Sequence, residues 1–460
     1  MTRLKRLGAD GAAAGALLSR QEMFDVIARC VKLSKADEIE INVNTSATGN
    51  TRFAANQLST SGASSDVQVV VYSAFGPKHA VVTTNDLSDE SLERAVRQSE
   101  AIAKLSPDDP EIMPRLGAQT HASVGAYFDS TANLTAADRA QAAMSALGPA
   151  RDAKDLQAAG FLITQAGAQA IGNSAGLQAY HRSSSANYQL TVRTADGTGS
   201  GWAAADDHDW SKVDFAAVSR RAIEKARLSR NPVAIEPGRY TVILEPQAAG
   251  DLVQLLAFYA DARATDEGRS PFTKQGGGSK LGEKIIDERL SIISDPLDGQ
   301  LLAAPFDGDG LPLTPRRWID KGVLNELQYS RFWAKKQNKP VTGGASCVKL
   351  VSSATQSMEQ LIAGTTRGIL VTRLWYLREV DPRTILYTGL TRDGTFLIEN
   401  GKVTKSLRNF RFNESPLFML NNLEGCTAPE RLAGTEAGGD VAMPALKVRD
   451  FNFTSLSEAV

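Results

Sequence analysis

Cysteine is scarce in this sequence, and its scarcity excludes a disulfide-stabilised scaffold. The three cysteines, Cys30, Cys347 and Cys426, are too few and too scattered for a disulfide framework, and no CxxC pair is present. Free thiols of this kind suit a reducing compartment. We therefore expect a cytoplasmic protein that is stabilised by its core rather than by crosslinks.

Histidine is also rare, which restricts metal chemistry. The chain has four histidines, and none lies within four residues of another: His79, His121, His181 and His208. HExxH spacing, which places two imidazoles on one helical face, is absent. Because a catalytic zinc usually takes three protein ligands, a metal site would have to be assembled from distant segments. The order of residues shows no Ser-His-Asp or Cys-His nucleophilic pairing either.

Excess charge and long apolar runs are missing as well. Lys and Arg number 51 against 52 Asp and Glu, so no overall field attracts nucleic acid or an anionic membrane. No stretch of about 20 apolar residues is available to span a bilayer. Residues 1–18 begin with a basic segment, but Asp10 interrupts the Gly/Ala-rich run that follows. We interpret them as a flexible tail in preference to a signal peptide.

The chain is long enough for more than one domain, since single cores stop growing at about 250–300 residues. Residues 19–230 show helices alternating with half-buried strands, which predicts an α+β domain of helices and antiparallel strands. Helical spacing places six apolar side chains inward in its first two helices: Met23, Ile27, Val31, Leu92, Ala95 and Ile102. Residues 106–130 resemble a connector, and a further helix is expected near 135–149.

Residues 236–458 form the second predicted domain, which is mainly β. Gly and Asp-Gly turns such as "TRDG" and "IENG" punctuate its strands, and the only clear helix is the one that opens it. "GTFLIENGKVTKSLRN" reads as strand, Asn-Gly turn, strand. A barrel-like closure is expected, because closure removes exposed strand edges. The predicted fold class is therefore α+β with a mainly-β, barrel-like second domain.

Three polar segments could bind ligands, and each has a simpler interpretation. "AADDHDW" (204–210) could hold a metal, but a solvated turn before a helix is favoured. "FDGDGLPL" (306–313) lacks the later acidic residues of a calcium loop, which favours a β-turn. "KQGGGSKLGEK" (274–284) does not fit GxxxxGK[ST] and is interpreted as a mobile loop.

A longer block is far more specific. Residues 364–416 contain "RGILVTRLWYLREVDPRT", "GLTRDGTFLIENG" and "NFRFNESP". These segments closely resemble the C-terminal signature of the TldD/PmbA family, also called TldD/TldE. The "GRYTVILEP" strand and the helix after it resemble the family too, as does the α+β first half, so the resemblance covers nearly everything after residue 19.

The resemblance implies a zinc metallopeptidase made of two kinds of chain. A TldD-type chain carries HExxxH on the helix after the "VILEP"-like strand, and a TldE/PmbA-type chain lacks that motif. Here "VQLLAF" occupies those positions, with Val253 and Phe258 at the two histidines and Gln254 at the glutamate. Val and Phe cannot ligate zinc, and Gln has no ionisable carboxylate to act as a general base. Active relatives add a C-terminal cysteine, and we interpret Cys426 in that neighbourhood as vestigial or structural.

The leading expectation is thus a non-catalytic subunit with no catalytic residue and no cofactor of its own. Zinc is expected in a TldD-type partner, and unfolded peptides, degraded or matured, are the expected substrates. Two alternatives stay open: a peptidase in its own right, perhaps a homodimer with an atypical metal site, or a stand-alone peptide-binding protein.

Four residues of the signature are candidates for the peptide channel or the subunit interface: Arg373, Trp375, Tyr376 and Arg378. Aromatic and Arg side chains are typical interface anchors, and alternation through Leu374, Tyr376 and Arg378 predicts one face in and one face out. A structural role is an equal alternative, with Trp375 in the core and Arg373 paired with Asp381.

Overall fold

The computed structural model describes residues 17–434 and 440–457, so most of the predicted tail lies outside the described residues. The elements of the first half are α1 (Arg20–Leu33), β1 (Glu38–Ala54), β2 (Gln57–Phe75), β3 (Lys78–Thr84), α2 (Asp89–Leu105), α3 (Asp129–Ala132), α4 (Ala136–Asp152), β4 (Leu156–Asn173), β5 (Gln178–Thr194), β6 (Ser200–Asp207) and α5 (Phe215–Leu228).

The six strands of this half form one antiparallel sheet in the order β3-β2-β1-β4-β5-β6. Buried and less buried residues alternate along β1 and β5, as expected for strands with one packed face. One apolar cluster joins α1 and α2 to β1 and β2, and another joins α4 and α5 to β4 and β5. The predicted α+β architecture of this half is confirmed.

The inward side chains of the first two helices are predicted correctly with one exception. Met23, Ile27, Leu92 and Ala95 are buried, and Val31 is partly buried against the same cluster. Ile102 was expected to point inward, but it is 42% exposed. It lies in the last turn of α2, at the border of the buried face that Leu92, Val96, Ser99 and Ala103 form.

The second half has more elements than its sequence pattern shows: β7 (Gly238–Leu244), α6 (Pro246–Phe258), α7 (Ala262–Asp266), β8 (Leu290–Ser294), β9 (Arg316–Asp320), β10 (Val323–Leu324), α8 (Arg331–Gln337), β11 (Val348–Ser352), α9 (Met358–Ala363), β12 (Arg367–Asp381), β13 (Leu386–Glu399), β14 (Lys402–Ser406), β15 (Phe410–Glu414), α10 (Pro416–Asn421), β16 (Leu423–Cys426), β17 (Glu430–Arg431), β18 (Val441–Met443) and β19 (Leu446–Leu456). Four short helices, α7 to α10, thus follow the opening helix, and each has too few turns to produce a 3.6-residue pattern.

Five strands of this half close into a barrel. Pairing runs β12-β7-β19-β15-β13, and β13 pairs back with β12. A second six-stranded sheet, β10-β9-β8-β11-β18-β17, packs beside α6 around the same apolar core. The mainly-β, barrel-like second domain is therefore confirmed. No helix in the described part of the chain is long and apolar enough to cross a membrane.

Two of the predicted turns behave differently. Asn400 and Gly401 both have positive φ, at 51° and 75°, between β13 and β14, which is the predicted Asn-Gly hairpin turn. "TRDG" is not a turn, because Asp393 and Gly394 lie inside β13, with φ of 54° and 129°. The pairing of β12 with β13 shifts register there, so this Asp-Gly pair forms a bulge in the barrel wall.

Candidate functional site

Helix α6 leaves the barrel directly from β7 and is buried almost throughout. β7 lies between β12 and β19, and Pro246 starts the helix one residue after Glu245. Every residue from Ala248 to Ala257 is buried. Apart from Asp251 and Gln254, the buried residues of the helix are apolar or small on all sides, which is the pattern of a helix enclosed by protein. At its start, the Glu245 carboxylate accepts a hydrogen bond from Lys225 Nζ of α5 at 2.6 Å.

The three positions that match HExxxH do not converge on one opening. Val253 is fully buried in the apolar core, and Gln254 is 7% exposed. Phe258 is 75% exposed and lies edge-on to Tyr259, with ring centroids 5.4 Å apart. Residues five apart on a helix differ by about 140° in direction, which accounts for one buried and one exposed side chain. The Gln254 amide nitrogen is buried with no hydrogen-bond partner among the described residues.

The residues at these positions do not fit zinc. Val253 and Phe258 have no ligand atom, and the Gln254 amide is a poor substitute for a carboxylate. Cys426 is 1% exposed on β16, and its Sγ donates to the carbonyl of Ala354 at 3.5 Å. Burial raises the pKa of its thiol, which favours the neutral form over the thiolate that a metal needs.

The histidines are dispersed among separate environments. His79 stacks on Tyr72, and His121 lies 2.8 Å from the carbonyl of Gly310. Burial lowers the pKa of His181 to about 4. Within residues 17–434 and 440–457, no group of three His, Cys, Asp or Glu side chains is arranged to hold a metal ion.

His208 corrects the interpretation of "AADDHDW" as a solvated turn. Residues up to Asp207 belong to β6, and His208 is 6% exposed. Its two ring nitrogens lie 2.7 Å from the carbonyls of Ser184 and Leu301. Arg431 joins the same cluster, since its guanidinium contacts Asp206 at 2.8 Å. The segment therefore links the first sheet to the second half of the chain.

The four signature residues divide into an inward pair and an outward pair. Arg373 has an 18% exposed side chain and lies over two indole rings, those of Trp202 at 4.8 Å and Trp375 at 5.5 Å. Its ion-pair partner is Asp393 at 3.6 Å, and not Asp381 as the structural alternative supposed. Because Trp202 belongs to β6, Arg373 and Trp375 form part of the contact between the first sheet and the barrel.

Tyr376 and Arg378 face outward. Tyr376 is 50% exposed with φ of 57°, and the Arg378 guanidinium lies 4.0 Å from its ring centroid. The predicted alternation through Leu374, Tyr376 and Arg378 is wrong, because Leu374 is buried and the other two are exposed. Register shifts around Trp375 interrupt the two-residue period and cause the difference.

Helix α6 ends against the same hairpin, through contacts that the sequence pattern did not reveal. The Tyr259 hydroxyl donates to the Glu379 carboxylate and lies 3.1 Å from the Tyr387 hydroxyl. Burial and these two partners raise the pKa of the Tyr259 phenol. Phe258 and Arg378 lie beside this cluster, because Phe258 precedes Tyr259 and Arg378 precedes Glu379 in the sequence. Their exposed side chains make this end of the hairpin a candidate contact surface for a peptide or a second subunit.

Comparison with known proteins places this architecture in a family. The model of the PmbA/TldA metallopeptidase C-terminal domain matches residues 237–455, that of the central domain matches 129–230, and that of domain 1 matches 39–103. TldE from Thermococcus kodakarensis has a similar structure, with a TM-score of 0.83 over 94% of this chain and 99% of that one. At 19% identity, this likeness concerns the fold.

Two curated relatives are similar in sequence. A metalloprotease PmbA homolog from Haemophilus influenzae is 24% identical over 76% of this chain and 78% of its own length. A metalloprotease from Methanothermobacter thermautotrophicus is 24% identical over 48% of this chain. The aligned region spans about half the length of the archaeal relatives.

A strand leading from a five-stranded barrel into an enclosed helix, beside an antiparallel α+β domain, defines the TldD/PmbA class of fold. The three domain models together cover most of the sequence, and the chain belongs to the PmbA/TldD metallopeptidase family.

Proposed function

We propose that this chain is the non-catalytic, TldE/PmbA-type subunit of a two-chain peptidase whose zinc is bound by a TldD-type partner. The observation that carries the proposal is which residues α6 has at the positions of the metal-binding motif, namely Val253, Gln254 and Phe258. Val253 is fully buried while Phe258 faces outward, so the two side chains do not share a site.

The role of such a subunit is to bind and position a peptide rather than to cleave it. The exposed Phe258, Tyr376 and Arg378 at the end of the β12–β13 hairpin supply aromatic and cationic side chains of the kind that anchor interfaces. The partner contributes the zinc and its general base. Together the two chains act on unfolded peptides in the cytoplasm, and a homodimer is the alternative assembly of this chain when the partner is missing.

Co-expression with a TldD-type chain that carries HExxxH tests the proposal. We expect a stable 1:1 complex by size exclusion with light scattering, about one zinc per complex by elemental analysis, and hydrolysis of an unfolded peptide. Changing the partner's first motif histidine to alanine should abolish zinc binding and activity while the complex persists.

The isolated chain is the matched control, and it should contain no stoichiometric zinc and cleave no peptide. About one zinc per chain in protein free of any partner would contradict the non-catalytic assignment. Absence of a mixed species at micromolar concentration would contradict the assigned partner.

A further inference from the structure

The first sheet ends on one side at a strand that its neighbour covers only in part. β2 has 19 residues, whereas β3 on its outer side has seven and pairs only with Val69–Phe75. Gln57–Ser64, at the other end of β2, pairs with β1 on its inner side. Among the described residues, no strand or bridge pairs with its outer side. Alternate residues of this stretch therefore direct their backbone N–H and C=O groups away from the sheet.

This edge has few of the features that normally protect exposed strands. Charged residues, proline and bulges usually prevent a free edge from pairing with another chain. Gln57–Ser64 reads "QLSTSGAS", with no charge and no proline, and all eight residues are exposed. Asp66, between this stretch and the part of β2 that β3 covers, is a charged residue on the same edge. The pairing with β1 has one irregularity in this stretch: Thr60 pairs with Arg52 and Leu58 with Phe53, so Ser59 is an extra, bulged residue. Thr60–Ser64 is in regular register.

The opposite edge of the sheet shows how this fold closes a comparable gap. β6 covers only Ala186–Arg193 of the longer β5. Beside the uncovered part, the connector supplies the missing partners, since Ser184 N donates to the carbonyl of Ala126 at 2.9 Å. The Ser184 hydroxyl in turn accepts from Phe128 N at 2.9 Å. The chain thus closes the gap next to β5, whereas no residue within 17–434 and 440–457 pairs across the gap next to β2.

We propose that Gln57–Ser64 is a docking strip for one extended polypeptide, which adds as a strand beside β2 in line with β3. The proposal rests on the proposed function in taking an unfolded peptide as the ligand, and it names where that ligand contacts this chain. The side chains of the strip are all uncharged, and all are small apart from Gln57 and Leu58. Recognition therefore depends on hydrogen bonds between the two backbones, and such bonds can form with substrates of varied sequence.

The size of the strip favours a peptide over a second copy of this chain. Eight residues extend over about 27 Å, with a width of one strand, about 5 Å. A stable protein–protein interface buries roughly 800 Å² on each partner, far more than one such ribbon provides. A single strand of peptide, in contrast, needs no more surface than this edge offers.

Fluorescence anisotropy with the full-length chain and a fluorescein-labelled, unstructured twelve-residue peptide of Thr, Val, Ser and Gln tests the strip. Adjacent residues direct their N–H groups to opposite sides, so either Gly62→Pro or Ala63→Pro removes an outward donor. We expect one of these two folded variants to bind the peptide at least about tenfold more weakly. Ala63→Ser keeps every backbone group and should bind as the wild type does.

A second measurement leaves the protein unchanged. The same peptide N-methylated at four consecutive central residues cannot form a continuous ladder in any register, and its affinity should fall at least about tenfold. Equal binding of the methylated and unmethylated peptides, no binding of either one, or wild-type affinity in both proline variants would overturn the proposal. A dimer detected by light scattering and lost in the proline variants would also overturn it, by assigning the strip to a second copy.

These results are separable from the proposed function. A chain that binds the peptide through the strip but forms no complex with a TldD-type chain would refute the subunit role alone. A chain that forms an active complex but binds the peptide equally well after both proline substitutions would refute the strip alone.

Discussion

Restoring the metal motif on α6 should destabilise the protein, and nearly all of the cost should come from one position. Val253→His places an imidazole where a fully buried valine belongs to the apolar cluster that also contains Leu252 and Leu256. The ring is larger than the valine side chain, and overpacking costs about 1–3 kcal/mol. Its donor and acceptor nitrogens also need partners, and leaving a buried polar group unpaired costs about 1–3 kcal/mol. We expect a loss of about 3–5 kcal/mol in the free energy of unfolding.

Phe258→His is the matched control on the same helix. Phe258 is 75% exposed, so its replacement removes little packing, and we expect a loss below about 1 kcal/mol. Urea unfolding of the two single variants, followed by circular dichroism, measures both values. Equal stability of Val253→His and the wild type, or a larger loss for Phe258→His, would refute the enclosed environment of α6. With Gln254→Glu added, isothermal titration should show weak zinc binding at best, because one imidazole would lie in the core and the other at the surface, and metal-bound imidazoles need hydrogen-bonding partners that fix their orientation.

Three further predictions follow from single contacts. Arg373→Ala should lower the free energy of unfolding by about 2–4 kcal/mol, because it removes a partner of the buried Asp393 carboxylate. Arg378→Ala, on the exposed face of the same hairpin, should lower it by less than about 0.5 kcal/mol. Chemical unfolding of the two variants measures the difference. Burial raises the pKa of Glu414 from 4.5 to about 7, so the folded state retains its proton longer than the unfolded state. Stability relative to Glu414→Gln should therefore fall by up to about 3 kcal/mol as pH rises from 4.5 through 7, and parallel pH profiles of the two proteins would contradict this. His208→Ala should lower the free energy of unfolding by about 2–3 kcal/mol, because the Ser184 carbonyl loses the ring nitrogen 2.7 Å away and the Arg431 guanidinium loses the other ring nitrogen 3.1 Å away. A melting temperature unchanged within about 1 °C would oppose that reasoning.

Sequence patterns predicted the long elements and missed the short ones, for a physical reason. Helices α2 and α5 have 17 and 14 residues, long enough to repeat an apolar period several times. Helix α7 has five residues, so no period can be seen in it, and its position depends on contacts with distant chain. One such contact is the hydrogen bond from Ala262 N to the carbonyl of Gln328 at 3.0 Å.

The sequence predicted only part of the candidate site, for a similar reason. The signature block located the β12–β13 hairpin, but the residues that surround Arg373 come from other segments. Trp202 lies on β6 of the first sheet, and Asp393 lies at a bulge with positive φ. The "DG" pair was the available signal for that bulge, yet the same pair is typical of hairpin turns, and the sequence could not distinguish the two.

What the sequence alone determined is chemical identity. Val253 and Phe258 lack ligand atoms, and Gln254 lacks a carboxylate, in any conformation of the chain. Only the tertiary structure determined which side chains are exposed and which residues they contact. It buries Val253, exposes Phe258, pairs Arg373 with Asp393, and places no other described strand along the outer edge of Gln57–Ser64. These outcomes depend on pairings between strands far apart in sequence and on bulges that interrupt the two-residue period, so no local pattern could specify them.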